Sequence, residues 1–140
     1  MKVSPKEFAP LLRTHGYRAT EGRLSILHIL AKAPRPLSIA DIVTSLQGGA
    51  DQSTVYRTIE ALADSGIIRP VDMQHSHTHY ELSGEAHHHH LICKSCGKVE
   101  DVEKCNVAKI EHHVLKRAKY FSVIKDHSLE FFGLCKKCAA

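Results

Sequence analysis

Gln52-Ser53-Thr54-Val55-Tyr56-Arg57-Thr58-Ile59-Glu60-Ala61-Leu62-Ala63-Asp64-Ser65-Gly66-Ile67-Ile68-Arg69-Pro70-Val71 changes its hydrophobic period midway. Up to Asp64, Val55, Ile59 and Leu62 recur at three- and four-residue steps, which is one face of a helix. Gly66 stops it, and Ile67 to Val71 then reads as a short strand with His79 to Leu82 as its partner across a polar loop. Upstream, Ser38 caps a helix carrying Ile39, Ile42, Val43 and Leu46, which Gly48-Gly49 ends. Thr20 caps another, with Leu24, Ile26, Leu27, Ile29 and Leu30 as its apolar stripe, and Ala33-Pro34-Arg35-Pro36 stops that one. Ser4-Pro5 opens a first segment through Phe8, Leu11 and Leu12 to His15-Gly16. Short helices followed by a small hairpin give the order of a winged helix-turn-helix, assigned to residues 1–82.

Ser83-Gly84-Glu85-Ala86 is small and polar and reads as a hinge at 83–86. Residues 87–140 then read as a small α/β unit. Leu91–Cys93 and Lys98–Val102 are expected as strands. Asn106 to Tyr120 is expected as a helix with Val107, Ile110, Val114 and Ala118 inward. Phe121–Ile124 and Leu129–Phe132 follow as strands before a cysteine-bearing tail. The fold class is therefore α+β.

The 140 residues suffice for one ordinary domain or two very small ones, and 43% hydrophobic content excludes wholesale disorder. No apolar run approaches a membrane span, so no membrane partner is expected. Met1-Lys2-Val3-Ser4-Pro5 lacks a secretory signal's apolar stretch, so a cytoplasmic location is expected. Ten of the twelve histidines follow residue 74, and all five cysteines lie at or beyond Cys93. A net charge of +4 suits a nucleic-acid binder without singling one out.

Cys93-Lys94-Ser95-Cys96 and Cys135-Lys136-Lys137-Cys138 form two CxxC pairs separated by 38 residues. Two such knuckles supply four thiolates to one tetrahedral ion, and zinc suits that set. The ion would clip the start of the second unit to its end, turning binding energy into folding energy. Cys105 stands apart, as a small buried residue or as an additional ligand or redox thiol.

His87-His88-His89-His90 runs straight into Leu91-Ile92-Cys93. In an extended chain His87 and His89 face one way, His88 and His90 the other, so one stretch can serve two metal sites. The same parity puts His75, His77, His79 and Glu81 on one face if that segment is a strand, while a solvated wing tip is the other reading for His75 and His77. Imidazoles beside a carboxylate suit zinc, iron or manganese. Asp101, Glu111, His112, His113 and His127 are the remaining candidates. At the start of the fourth helix Ser53, Thr54, Tyr56 and Arg57 combine hydroxyls, an aromatic ring and a cation, which suits a helix entering a major groove; a plain exposed polar helix start is the other reading of these residues. Arg18 and Arg23 can reach phosphate or a narrow minor groove.

Thr54-Val55-Tyr56-Arg57-Thr58, Tyr80-Glu81-Leu82, His87 to Cys93, Cys96-Gly97-Lys98-Val99, His127-Ser128-Leu129 and Gly133-Leu134-Cys135-Lys136-Lys137-Cys138 together resemble the ferric uptake regulator superfamily, in order and over nearly the whole chain. The resemblance implies a homodimer of winged-helix DNA-binding domains joined through α/β dimerisation and metal-binding domains. It implies a repressor that binds an AT-rich inverted repeat in duplex DNA when metal is bound, with no organic cofactor. It implies structural zinc on Cys93, Cys96, Cys135 and Cys138. It also implies a regulatory interdomain site on Glu81, His88 and His90 with Asp101, and a second site on His87, His89, Glu111 and His127. Tyr56 and Arg57 match recognition-helix contacts, and Arg18 a minor-groove cation. Iron and peroxide sensors of the superfamily usually carry a histidine just before the third helix. Here Arg35-Pro36-Leu37-Ser38 has none, so the interdomain site closes through another group, His77 or His79 with Asp101. The imidazole-rich set favours regulatory zinc over iron or manganese, hence a zinc-uptake-type regulator. An iron-responsive repressor, a peroxide sensor and a metal buffer or chaperone are the alternatives. An enzyme is not expected. His79-Tyr80-Glu81 matches the H-x-E of zinc deaminases, but neither CxxC follows a proline, H-E-x-x-H is absent, and four thiolates leave no open position for substrate.

Overall fold

The computed structural model describes residues 5–84, 88–103 and 106–140; His87, Cys105 and the Glu85-Ala86 half of the expected hinge lie outside them. The chain divides into two compact units, residues 1–84 and 85–140.

The first unit begins with a 3-10 turn, Pro5–Phe8, running into α1, Ala9–Thr14. In α2, Glu21–Lys32, the Thr20 hydroxyl accepts the Arg23 N–H. Before α3, Ile39–Ser45, Ser38 and Asp41 close a capping box: Asp41 N–H donates to Ser38 Oγ at 3.1 Å and Ser38 N–H to Asp41 Oδ2 at 3.0 Å. Asp51 caps α4, Gln52–Asp64, by accepting the Thr54 N–H at 2.8 Å. Gly66, at φ +80°, takes the left-handed turn that ends α4 and feeds the sheet. That sheet is antiparallel, in the order β1 (Leu37–Ser38), β3 (His79–Leu82), β2 (Ile68–Val71), with Ser38 opposite His79 and Arg69 opposite Glu81. Leu12, Leu27, Ile42, Val55, Ile59 and Leu62 are fully buried between helices and sheet. The two residues of β1 carry no periodic signal, so pattern alone does not reveal them. His75 and His77 lie in the exposed β2–β3 bend rather than in the strand.

In the second unit β4, His88–Cys93, is the central strand. It pairs antiparallel with β5, Val99–Glu103, and parallel with β6, Glu130–Gly133. The histidine run thus enters the sheet and lengthens the expected Leu91–Cys93 strand. α5 spans Val107–Arg117 and α6 Lys136–Ala139. Three expectations differ. α5 ends at Arg117, short of the expected Tyr120, with Ala118 an extended C-cap rather than an inward helical residue. Residues 121–124 form no strand, with Phe121 74% and Val123 63% exposed, and on α5 Ile110 and Val114 are each 51% exposed rather than inward. An apolar stretch needs a partner strand or face to order against, and among the described residues no strand pairs with this one. Ile92, Cys93 and Val107 are the buried apolar residues of this unit among those described. So small a core gives little stability by itself, which makes a metal clip and a second chain physically useful. Among the described residues no helix is long and apolar enough to cross a membrane.

Candidate metal centres and nucleic-acid interface

The four cysteines of the two CxxC pairs come together. Cys93 ends β4, and Gly97, at φ +77°, turns the knuckle so that its N–H reaches the Cys93 carbonyl at 2.9 Å. Parallel pairing sets Cys93 beside Gly133, which carries Cys135 to the start of α6 and Cys138 into it. All four sulfurs lie within 4.8 Å of one another, and Cys96 and Cys135 Sγ are 3.8 Å apart. A tetrahedral ion with Zn–S of about 2.3 Å requires sulfurs about 3.8 Å apart, so the donor set fits such an ion. The electrostatics agree. Backbone N–H groups of Cys135 and Cys96 aimed at Cys93 lower its thiol pKa to about 6. At Cys138 the Ser95 side chain favours the thiolate, but the neighbouring Cys135 and Cys96 sulfurs outweigh it and push the thiol up to about 12. Four thiolates do not charge together without a cation among them.

The β4 histidines alternate as their parity requires. The His88 and His90 rings lie 5.0 Å apart, edge to face. His90, almost fully buried, is flanked by acids on both neighbouring strands: Nδ1 is 2.8 Å from Glu130 Oε2, and Nε2 is 3.8 Å from Asp101 Oδ1. The Glu130 bond to Nδ1 directs the Nε2 lone pair toward any cation. His89 uses Nδ1 to donate to the Leu129 carbonyl at 2.9 Å. Its ring lies 5.3 Å from that of His127, whose Nδ1 is 3.0 Å from Glu111 Oε1. His89, His127 and Glu111 of the expected second site are therefore neighbours, whereas His87 lies outside the described residues. Glu130 escapes sequence reading: its place beside His90 depends on a parallel pairing across 40 residues, and the alternation of Leu129–Phe132 was its only signal.

In the first unit, Arg69 holds Glu81 across the β2–β3 ladder, with Nε 2.6 Å from Oε1. His79 is buried with its Nδ1 3.1 Å from the His77 carbonyl, and burial lowers its pKa below the usual histidine value. Val55, Ile59 and Leu62 anchor α4, leaving Ser53, Thr54, Tyr56 and Arg57 exposed on its outer side. The Glu60 carboxylate engages the Tyr56 hydroxyl and raises its pKa. Arg18 is exposed. Arg23 is half-buried, donating to the Arg18 carbonyl at 2.9 Å and lying 5.3 Å above the Tyr17 ring. Tyr17 in turn donates its hydroxyl to the Ala61 carbonyl at 3.1 Å, tying the arginine-bearing turn to α4.

The family model described as the ferric uptake regulator family matches residues 14–132. The ferric uptake regulation protein of Synechococcus elongatus is 34% identical over 133 residues, covering 91% of this chain and 89% of that one. Among solved structures, the Helicobacter pylori ferric uptake regulator, described as having three functional metal binding sites, superposes with a TM-score of 0.78 at 25% identity. That match covers 99% of this chain and 96% of the other. A zinc uptake regulator solved with zinc and DNA reaches a TM-score of 0.71 at 22% identity over 99% of this chain and 97% of its own, a likeness of fold. A thiolate cage, histidine clusters and an exposed polar helix on this fold define a metal-responsive, DNA-binding transcription regulator, a class distinct from enzymes. The chain belongs to the ferric uptake regulator family.

Proposed function

We propose that the protein is a zinc-responsive repressor of metal-uptake genes, acting as a homodimer on an AT-rich inverted repeat. The observation carrying this reading is the division of the β4 histidines between two faces, each with acids of its own. Residues 1–82 act as a winged-helix DNA-binding domain and residues 87–140 as a dimerisation domain, joined by the hinge at 83–86. The exposed Ile110, Val114, Phe121 and Val123 form the face that a second chain covers. Cys93, Cys96, Cys135 and Cys138 hold structural zinc. Glu81 from the DNA-binding domain and His88 and His90 from the dimerisation domain, with Asp101 and with His77 or His79 closing the set, take the sensed ion; His87, His89, Glu111 and His127 form the second site.

The mechanism is a population shift. Without the sensed ion, many separations of the two DNA readers are populated. An ion held by both domains favours one separation, to the extent that it binds that state more tightly. Only that separation matches successive major-groove half-sites. Imidazole-rich ligation and the absence of a histidine in Arg35-Pro36-Leu37-Ser38 favour zinc. The iron-responsive reading is favoured by the name of the Synechococcus relative. DNA binding measured in buffered free zinc, iron(II) and manganese(II) decides between them: zinc is expected to act at the lowest free concentration, and activation by iron(II) alone would overturn the zinc assignment.

Exposed Arg57 supplies a phosphate or base-edge contact, with Ser53, Thr54, Tyr56, Arg18 and Arg23 beside it. Arg57→Ala is expected to weaken DNA binding and to reduce the slope of log affinity against log salt by about 1. An unchanged slope would remove Arg57 from the phosphate contacts.

A further inference from the structure

We propose that Tyr17 is a positioning residue for DNA binding: it ties the turn that carries Arg18 to α4, and so sets where that cation stands relative to Ser53, Thr54, Tyr56 and Arg57. This role rests on the reading of Arg18 and α4 as the DNA-contacting groups. The tie begins with the turn itself. Gly16, at φ +82°, ends α1, and the Tyr17 N–H donates to the Leu12 carbonyl at 2.9 Å. From there the chain alternates. Tyr17 and Ala19 are half-buried against the core of the first unit, while Arg18 and Thr20 are exposed. Holding Tyr17 inward therefore faces Arg18 outward.

The phenol reaches a helix 44 residues further along the chain. Its hydroxyl donates to the Ala61 carbonyl, in the last turn of α4, at 3.1 Å. That carbonyl also accepts the Ser65 N–H at 3.1 Å, so the phenol uses its second lone pair and costs the helix no bond. Ala61 lies four residues beyond Arg57, about 6 Å along the helix axis. The ring face is engaged as well. The Arg23 guanidinium carbon stands 5.3 Å from the ring centre, within cation–π range, and Arg23 Nη1 donates to the Arg18 carbonyl at 2.9 Å. The Thr20 N–H donates to the same carbonyl at 2.9 Å. The Arg18 backbone is thus held by a chain of contacts that starts on α4 and passes through one aromatic ring. None of these residues is a proposed metal ligand, and all lie in the first unit.

Tyr17→Phe removes the hydroxyl and keeps the ring, so the packing and the Arg23 contact persist. One net hydrogen bond corresponds to about 3–10-fold in an equilibrium. The metal-activated affinity of the full-length protein for an AT-rich inverted-repeat duplex is expected to fall by that factor, with circular dichroism and zinc content unchanged. In the Arg18→Ala background the same substitution is expected to change affinity by less than about twofold, because the cation it positions is gone. Unchanged affinity for Tyr17→Phe would overturn the proposal, as would an equal loss in both backgrounds, which a general loosening of the unit would give. Arg18→Ala with the affinity of the unaltered chain would instead overturn the assignment of Arg18 to the DNA contacts, and this role of Tyr17 with it.

Discussion

Replacing Glu81 and His88 together by alanine is expected to abolish metal-activated DNA binding while the fold and the four-thiolate zinc persist. In the proposed mechanism the metal contributes only its differential affinity for the DNA-competent state. Coupling energies of about 1–3 kcal/mol are usual, or about 5–150-fold in affinity. Removing one ligand from each domain eliminates that difference, so the variant should bind DNA equally weakly with and without added metal. The structural cost is small. Glu81 pairs with Arg69, whose side chain is 36% exposed and can turn to solvent, and His88 lies at the first position of β4. A gel-shift titration with free zinc reads the effect directly. A variant that still gains affinity with metal would show that the sensed ion is held elsewhere, with the β4 face carrying His89, beside His127 and Glu111, as the next candidate.

Cys135→Ser with Cys138→Ser is expected to release one zinc per chain and to unfold the second unit. Both cysteines are only half-buried, so the packing lost is minor and the effect traces to the metal. Structural zinc contributes an apparent binding energy of about 10–16 kcal/mol, while a whole domain is stable by about 5–15 kcal/mol. A unit whose described buried apolar residues are Ile92, Cys93 and Val107 has little to offset that loss. Metal analysis and the amide dispersion of residues 88–140 in a two-dimensional NMR spectrum measure the two effects. Zinc loss with full dispersion retained would mean that the sheet stands without its clip.

The sequence discloses the first unit well because its signals are local. Thr20 and Ser38, legible as helix caps, each accept the N–H expected of them, and Gly66 takes its left-handed φ, whereas the Asp51 cap of α4 is seen only in the structure. Val55, Ile59 and Leu62 face the core as their spacing demands. The second unit is less legible because its order depends on distant pairings. The histidine parity is visible in the chain, but the Glu130 carboxylate at His90 and the Leu129 carbonyl at His89 require β6 to lie parallel to β4. Residues 121–124 have the apolar character of a strand but pair with no strand among the described residues, so composition alone overstates their order. The CxxC pairs are the exception: cysteine chemistry limits their uses so narrowly that spacing is enough to anticipate four sulfurs in one cage.

The account rests on an ion that selects one separation of two DNA readers. Pulsed electron paramagnetic resonance between spin labels at position 64, the exposed C-terminal end of α4, in the two chains of the proposed homodimer measures that separation. With the sensed metal bound, a single narrow distance distribution is expected, and with the structural zinc alone, a broad one. Identical distributions in both conditions, in a protein whose DNA binding still requires the metal, would contradict it.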